Sequence, residues 1–312
     1  MIMFNYTYLG HHTFPAELQM SLEETLYRSA AQEKKAFLRF FSVPNDTVIL
    51  GYAQHNDAVI NPDIPWTRRM TGGSHVQIGE NMLAYTVAVP RDGSFQNLED
   101  MRAYYAALIS EALEDLGLSS IEVDNNASTI ELENKVVASH AMFWGVHSAL
   151  LHGLLVIDPY NAKTIANNVR LSHRKIGGKI YKEHSAIKNI PALSTISDLW
   201  NTQTKKNTNI IKGLVCDAIT AKITGKPVEK RFWKFNQPSI ERKTLATAKD
   251  LLNTKYQTAQ WLHARDPAFQ RKKDMVEEIP GEDIDGPLKE QLPYCFWIQV
   301  PDKKFKKMAD PA

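Results

Sequence analysis

Short connections between apolar, β-rich runs constrain the fold of this chain more than any other feature. The runs "AFLRFFSV" and "TVILGY" are separated by the turn residues Pro44, Asn45 and Asp46, and "STIELENKVVASHAMFW" breaks only at Glu133-Asn134. We interpret both pairs as hairpins. Parallel strands need crossovers of a dozen or more residues, so these turns favour antiparallel pairing. The sequence therefore predicts an α+β fold with a mixed, largely antiparallel sheet, and not a doubly wound parallel sheet.

Helices are predicted on either side of these strands. Apolar residues recur every four positions in "PAELQMSLEETLYRSAAQE", and "LEDMRAYYAALISEALEDLG" starts with acidic residues and ends at a glycine. Both patterns are typical of amphipathic helices, as is "GLVCDAITAKITG", whereas "LAYTVAVP" and "ALLHGLLVID" indicate strands. The chain changes character from about Lys243 onward, where a helical stretch precedes a Pro- and Gly-rich end. We therefore divide it into a main domain of residues 1–240 and a C-terminal accessory segment of residues 241–312.

Composition excludes some classes of function. The formal net charge is +2 with a pI of about 8.3, so nothing in the charge balance points to nucleic acid or to an anionic membrane surface. No run approaches the roughly 20 apolar residues that span a bilayer. Cys216 and Cys295 are the cysteines of the chain. A cytoplasmic protein without structural disulfides is the simplest expectation.

The run "RRMTGGSHV", from Arg68 to Val76, suggests an anion-binding turn. Adjacent glycines at Gly72 and Gly73 let the backbone approach a ligand closely, and successive N–H groups can surround an anion. The guanidinium of Arg69 would match a phosphate or carboxylate. The alternative is a plain hairpin turn with two surface arginines. The run fits neither the P-loop nor the G-x-G-x-x-G pattern.

Two further positions are candidates for function. Lys135 opens the apolar strand "KVVASHA", and its amine either reaches a ligand or extends to water. His152 and Gly153 interrupt the apolar strand "LLHGLLVID". Glycine inside a strand often marks the close approach of a ligand. A buried, hydrogen-bonded histidine is the plainer alternative for His152.

In their order, "RRMTGGSHV", "GEN...AYTVAVP", "NKVVASHA" and "HGLLVID" resemble the lipoate–protein ligase A family of the biotin/lipoyl ligase superfamily. Similar family stretches match "LQMSLEETL", "LRFFSVPNDTVILGYAQ" and "LLNTKYQTAQWLHARDP". The resemblance covers most of residues 15–267. It implies that residues 1–240 form a catalytic domain like those of class II aminoacyl-tRNA synthetases and biotin ligases.

The chain departs from the family pattern at several places. Val137-Ala138-Ser139-His140 replaces the family's Ser-Gly-Ser-Ala, and the run Asn125-Asn126-Ala127-Ser128 lacks the family's aspartate. His75 takes the place of a small residue. In the family, this aspartate helps to hold the metal ion and the phosphates.

The resemblance implies an ATP-dependent lipoate–protein ligase, with Mg²⁺ accompanying ATP and with lipoate as the substrate. A lipoyl carrier domain would accept the lipoyl group, of the 2-oxoacid dehydrogenase E2 type or the glycine cleavage H protein type. The short C-terminal segment suggests a separate accessory chain. Lys135 would be the catalytic residue. Substrate and ATP would be bound by Arg69, Thr71, Gly72, Gly73, Ser74, His75, Val76, Gln77, Lys135, His152 and Gly153.

Three alternatives stay open at this point. An octanoyl or lipoyl transferase would need no ATP, and many such enzymes use a cysteine, but no cysteine lies between Met1 and Val215. A biotin ligase would be expected to carry a Gly-Arg-Gly-Arg loop. The last alternative is a paralogue that binds a lipoyl domain without catalysis.

Overall fold

The structure, a computed structural model, describes residues 4–54, 56–73, 75–124, 128–132, 135–158, 168–169, 173–176, 179–182, 208–226, 240–263 and 276–278, without the side chains of residues 57, 135, 173–176, 179–182 and 276–278. The strands are β1 Tyr6–Thr13, β2 Ala36–Ser42, β3 Thr47–Leu50, β4 Trp66–Arg68, β5 Val76–Ile78, β6 Met82–Pro90, β7 Ile121–Asp124, β8 Thr129–Leu132, β9 Lys135–Trp144, β10 Ser148–Val156, β11 His173–Ile176, β12 Lys179–Lys182 and β13 Val276–Glu278. The helices are α1 Ala16–Glu33, α2 Leu98–Asp115, α3 Thr208–Thr224, α4 Arg242–Leu251 and α5 Ala259–Leu262, with a 3₁₀ turn at Asn56–Ala58 and a π-helical turn at Leu252–Tyr256.

The main sheet has seven strands in the order β1-β2-β6-β10-β9-β8-β7. β1 and β2 run parallel, and every other neighbouring pair in this sheet is antiparallel. The predicted α+β class with a mixed, largely antiparallel sheet is therefore confirmed. The hairpin of β8 and β9 is confirmed as well.

The predicted hairpin of β2 and β3 is wrong, although both strands exist. β2 pairs with β1 and β6 in the main sheet, whereas β3 lies between β4 and β5 in a separate three-stranded sheet. Every residue of β2 is buried, and its two edges are already occupied by β1 and β6. The turn at Pro44, Asn45 and Asp46 therefore leads the chain out of the main sheet and into the small one.

Helices cover the two faces of the main sheet. Alternation along β6 directs Leu83, Tyr85 and Val87 into the largest core cluster, together with residues of α2 and α3. Thr86, between them, points to the other face and donates a hydrogen bond to Glu23 of α1. α1 is in turn covered by the C-terminal helices, where Ala248 of α4 packs in one cluster with Leu18 and Leu22. The division at residue 240 stays a prediction. Across the described ranges, no helix is both long and apolar enough to cross a membrane.

His140 of β9 is buried in the core beneath α2. Its ring lies edge-on to that of Tyr85, with 5.8 Å between centroids, and among the described residues neither ring nitrogen has a hydrogen-bond partner. The pKa of His140 is lowered from 6.5 to about 3, mainly by burial; the backbone of Ser128 opposes this shift, and the charges of Arg102 and His152 add to it. The folded protein therefore holds His140 neutral, while the unfolded chain protonates it below pH 6.5.

We expect the free energy of unfolding to fall as the pH drops from 6.5 towards 3. The folded state binds fewer protons than the unfolded chain in this window, so His140 removes about 2 kcal/mol at pH 5. Urea unfolding between pH 7.5 and 4.5 measures this loss. His140→Leu should flatten the decline, whereas His147→Gln, at an exposed position of the β9–β10 turn, should leave it unchanged. An equal acid slope in wild type and His140→Leu would contradict the assignment.

Candidate functional site

The diglycine turn connects β4 to β5 and folds back on the loop that follows β3. The carbonyl of Thr71 accepts a 2.8 Å hydrogen bond from the N–H of Tyr52. Gly51 lies so close to the turn that a Cβ there would stand 1.9 Å from the carbonyl oxygen of Gly73. Gly73 itself has φ of 86°, a conformation that favours glycine. Gly72 is exposed, and a Cβ added to it would meet no atom of the described residues within 4 Å, so this side of the turn is open to a ligand in the described part of the chain.

Arg69 braces the turn from inside the protein. Its side chain is fully buried, and it donates from Nε to Thr71 Oγ1 at 2.9 Å, from Nη1 to the Ile49 carbonyl at 3.2 Å and from Nη2 to the Gly72 carbonyl at 2.6 Å. The alternative of two surface arginines is therefore wrong. The guanidinium places positive charge directly behind the turn. A direct contact between Arg69 and a ligand stays a prediction.

Arg68 is also fully buried, and its hydrogen bonds join the turn to the C-terminal helices. Its Nη1 donates to the carbonyls of Gly51 at 3.0 Å and Gln54 at 2.5 Å, and its Nη2 donates to the Leu262 carbonyl at 2.9 Å. The indole N–H of Trp261 returns a 3.1 Å hydrogen bond to the Arg68 carbonyl. The end of α5 is therefore part of the frame around the turn.

His152 joins the turn to the main sheet and to α1. Its Nε2 lies 2.8 Å from Thr71 Oγ1, and its Nδ1 lies 2.8 Å from Oε2 of Glu23. Thr86 donates to the other carboxylate oxygen of Glu23 at 2.9 Å. Burial lowers the pKa of His152, and Glu23 opposes that shift. Sequence reasoning missed Glu23 and Thr86.

Gly153 has a packing role that the sequence could not show. It lies opposite Tyr85 of β6 and His140 of β9. A Cβ at residue 153 would stand 2.1 Å from the hydroxyl oxygen of Tyr85, so the tyrosine ring covers this glycine. Successive strand residues face opposite sides of a sheet, so Gly153 faces the α2 side while His152 faces the turn. A ligand contact at Gly153 stays a prediction.

His75, Val76 and Gln77 continue from the turn into β5. Gln54 Oε1 accepts from the Gly51 N–H at 2.8 Å, so its amide nitrogen donates to His75 Nδ1 at 3.2 Å. Gln77 Oε1 accepts from the Asn168 amide at 2.9 Å. The side chain of Val76 is buried in an apolar cluster with Leu154 and Val156. Gln54 and Asn168, which orient these residues, were also missed from the sequence.

Two predicted site residues are placed only in part or not at all. Ser74 lies outside the described residues. Lys135 begins β9 opposite Leu132, but its side chain lies outside the described part of the chain. Its approach to the turn therefore stays a prediction. Among the residues that the structure describes, no group of three His, Cys, Asp or Glu side chains could hold a metal ion.

The geometry can hold an anion against peptide N–H groups. An exposed glycine peptide with a buried guanidinium behind it offers donors and positive charge with no side chain in the way. Leu154 and Val156 lie on the adjoining face of the main sheet and are fully buried. Polar and apolar elements thus adjoin, as a ligand with an anionic head and an aliphatic tail requires.

Comparison with known proteins matches this fold to one family. The model of the lipoyl protein ligase A/B catalytic domain matches residues 15–204, while no curated protein matches the chain in sequence. Among solved structures, the chain is similar to a lipoate-protein ligase A bound with ATP, with 16% identity, a TM-score of 0.62 and coverage of 85% of this chain and 100% of that chain.

Two further structures show the same fold. A bi-partite lipoate protein ligase from Thermoplasma acidophilum, reported with its E2 lipoyl domain, is 16% identical with a TM-score of 0.63 and coverage of 88% and 99% of the two chains. P. falciparum LipL1 in complex with lipoate is 14% identical with a TM-score of 0.59 and coverage of 86% and 76%.

We expect Gly51→Ala to destabilise the protein, because the new methyl group would meet backbone at the Gly73 carbonyl and the turn would have to move. The expected loss in the free energy of unfolding is about 1–3 kcal/mol. Gly72→Ala is the matched control, since open space surrounds that position, and it should change stability by less than about 0.5 kcal/mol. Urea unfolding of the two variants measures the difference, and equal stabilities would contradict the described approach of Gly51 to the turn.

Proposed function

Because this chain belongs to the lipoyl protein ligase A/B catalytic domain family, whose model matches more than half of it, we propose that it activates lipoate with ATP and transfers the lipoyl group to a lipoyl carrier domain. The observation that carries the proposal is the exposed diglycine turn, braced from behind by a buried guanidinium and adjoining buried apolar strands. An acyl-adenylate has the matching parts, a phosphate anion and an aliphatic chain.

The reaction has two steps. A carboxylate oxygen of lipoate attacks the α-phosphorus of ATP, which forms the mixed anhydride lipoyl-AMP and releases pyrophosphate. The ε-amine of a lysine on the carrier domain then attacks the carbonyl carbon, which forms an amide and releases AMP and a proton. Negative charge develops on phosphoryl oxygens in the first step and on the carbonyl oxygen in the second. Such steps depend on preorganised donors and cations.

The backbone of Gly72, Gly73, Ser74 and His75 is proposed to surround the adenylate. Arg69 supports this role in two ways, since it holds the Gly72 carbonyl and adds positive charge behind the turn. Gln54 keeps Nδ1 of His75 turned inward.

Lys135 is proposed to bridge the lipoate carboxylate and the α-phosphate. An ammonium there would draw the two anions together and stabilise the charge that forms in the transition state. Leu154 and Val156 are proposed to line the slot for the aliphatic tail, next to Val76 from the turn side. Mg²⁺ is expected to enter with ATP, and we assign no protein ligand or reaction step to it.

The proposed acceptor is a lipoyl domain of the E2 or H protein type. The Thermoplasma acidophilum ligase, which is bi-partite and was described together with its E2 lipoyl domain, supports both a lipoyl domain as acceptor and a separate accessory chain. Cytoplasmic location stays a prediction.

A cysteine-dependent acyl transferase is the nearest alternative, and the described cysteine argues against it. Cys216 of α3 is buried in the main core, and burial raises the pKa of its thiol well above the usual range. A nucleophilic thiolate needs the opposite environment. A transferase without cysteine is separated from a ligase by its independence of ATP.

Incubation with ATP, lipoate and an apo lipoyl domain, followed by mass spectrometry of the domain, tests the function. We expect an increase in mass that corresponds to one lipoyl amide, and no increase without ATP. Lys135→Ala should lower the rate by on the order of 10²–10³, because it removes a charge-stabilising group. Lys35→Ala, at a position that pairs with Glu33 at the end of α1, is the matched control and should act like wild type.

Three outcomes would contradict part of the proposed function. Modification that proceeds equally without ATP would assign the chain to the transferases. Binding of the lipoyl domain without any modification would assign it to the non-catalytic paralogues. Near-normal turnover of Lys135→Ala, with wild-type melting temperature, would reject Lys135 as the catalytic residue.

A further inference from the structure

We propose that Glu23 is a positioning residue that holds the anion-binding turn through a relay of hydrogen bonds, defined as Glu23, His152, Thr71 and Arg69. The inference deepens the proposed function and rests on it for the identity of the anion, the phosphate of the adenylate. Glu23 lies on α1 and does not contact the turn. Its effect passes through His152 of β10 to Thr71 and from there to Arg69.

The direction of each hydrogen bond follows from the donors available. Arg69 Nε can only donate, so the Thr71 hydroxyl accepts this bond and keeps one hydrogen of its own. Because the carboxylate of Glu23 accepts, the proton of the neutral His152 ring lies on Nδ1, so Nε2, 2.8 Å from Thr71 Oγ1, accepts the hydroxyl hydrogen. Nδ1–H then donates to Oε2 of Glu23, and Thr86 donates to Oε1. In this arrangement each hydrogen bond of the relay has one donor and one acceptor.

Burial, and to a smaller extent two nearby arginines, keep His152 neutral. Glu23 faces it from α1, Arg39 from β2, Arg69 from the turn and His140 from β9. Burial is the largest cause of the lowered pKa of His152. Glu23 acts to raise this pKa, and the two arginines act to lower it. A neutral ring has one donor and one acceptor, which is what a directional relay needs.

The relay determines which way the Gly72–Gly73 peptide points. Arg69 Nη2 holds the Gly72 carbonyl at 2.6 Å on the buried side of the turn. In a trans peptide the C=O and the following N–H point in opposite directions, so the N–H of Gly73 faces away from Arg69. An anion on the open side of the turn therefore meets a donor. If the relay loosens, Arg69 and this peptide lose their orientation together.

The chain offers a matched control in the next residue of α1. Glu24 is also buried, but it accepts from Tyr256 Oη at 2.8 Å, from Lys255 Nζ at 2.6 Å and from Arg28 Nη2 at 2.5 Å. These partners belong to α1 and to the π-helical turn, and none belongs to the relay. Loss of a carboxylate from α1 can thus be compared inside and outside the relay.

A double-mutant cycle on ATP affinity, measured by calorimetry with the full-length protein, tests the coupling. Glu23→Gln and Thr71→Val should each weaken ATP binding by roughly 10-fold, the size of one charge-assisted hydrogen bond. The double variant should be no weaker than the weaker single variant, because both break one relay. Thr71→Ser, which keeps the hydroxyl, should restore the affinity.

The control variant gives the contrast. Glu24→Gln should lower the melting temperature but leave the ATP affinity within twofold of wild type, and its effect should add to that of Thr71→Val. Additive losses for Glu23→Gln and Thr71→Val would overturn the relay. An unchanged ATP affinity in Glu23→Gln would overturn it as well.

A second measurement separates the relay from the proposed function. Nitrogen-15 NMR of the His152 ring reports its tautomer without any ligand. We expect the proton on Nδ1 in wild type and a mixture of tautomers in Glu23→Gln, because a neutral amide can present either an acceptor or a donor to the ring. A proton on Nε2 in wild type would overturn the relay. A protein that shows the Nδ1 tautomer but neither binds ATP nor forms lipoyl-AMP would instead contradict the proposed function.

Discussion

Two adjacent buried guanidinium groups, those of Arg68 and Arg69, impose the constraint on which the site depends. A buried charge without partners costs several kcal/mol, so the chain must bring acceptors to both groups. Arg68 donates hydrogen bonds to carbonyls of the loop after β3 and of the end of α5, and Arg69 donates to the carbonyls of Ile49 and Gly72. Satisfying these donors leaves the connecting backbone little freedom. Protein contacts therefore hold the described part of the turn, residues 69–73, in place without a ligand, as the proposed function requires.

Helix α1 explains how distant parts of the chain reach this turn. Two neighbouring glutamates on one helix serve two networks, since Glu23 faces His152 and the turn while Glu24 binds Tyr256 and Lys255 of the C-terminal segment. Lys255 also lies 3.9 Å from the ring centroid of Trp261, and Trp261 binds the carbonyl of Arg68. Residues 240–263 thus pack on the same helix and the same arginine as the site. This part of the predicted accessory segment contributes directly to the frame of the turn.

The sequence predicts local elements and the glycine turn better than long-range contacts. The helices α1 to α3 and the strands β6, β9 and β10 were predicted from their periodicity. β1 was missed because "YTYLGHHT" contains too many polar residues to be recognised as an apolar strand. Since β1 is the partner of β2, the predicted pairing of β2 was wrong. Glu23 was missed because a glutamate in a helix is usually solvated. The fit of Gly153 under Tyr85 depends on cross-strand register, which one sequence does not contain.

The hydrogen bond between Thr71 and His152 joins the turn of the small sheet to β10 of the main sheet. The turn of the small sheet offers backbone N–H groups as donors. Such donors can bind a phosphate, but they cannot distinguish one acyl chain from another. The main sheet carries the apolar side chains, Leu154 and Val156 among them, that can distinguish chains by length and shape. In the proposed function, selection of the acid and activation of its carboxylate fall to different sheets. The proposed reaction needs the turn and the main sheet in a fixed relative position. The buried 2.8 Å hydrogen bond between Thr71 and His152 of β10 holds them in that position.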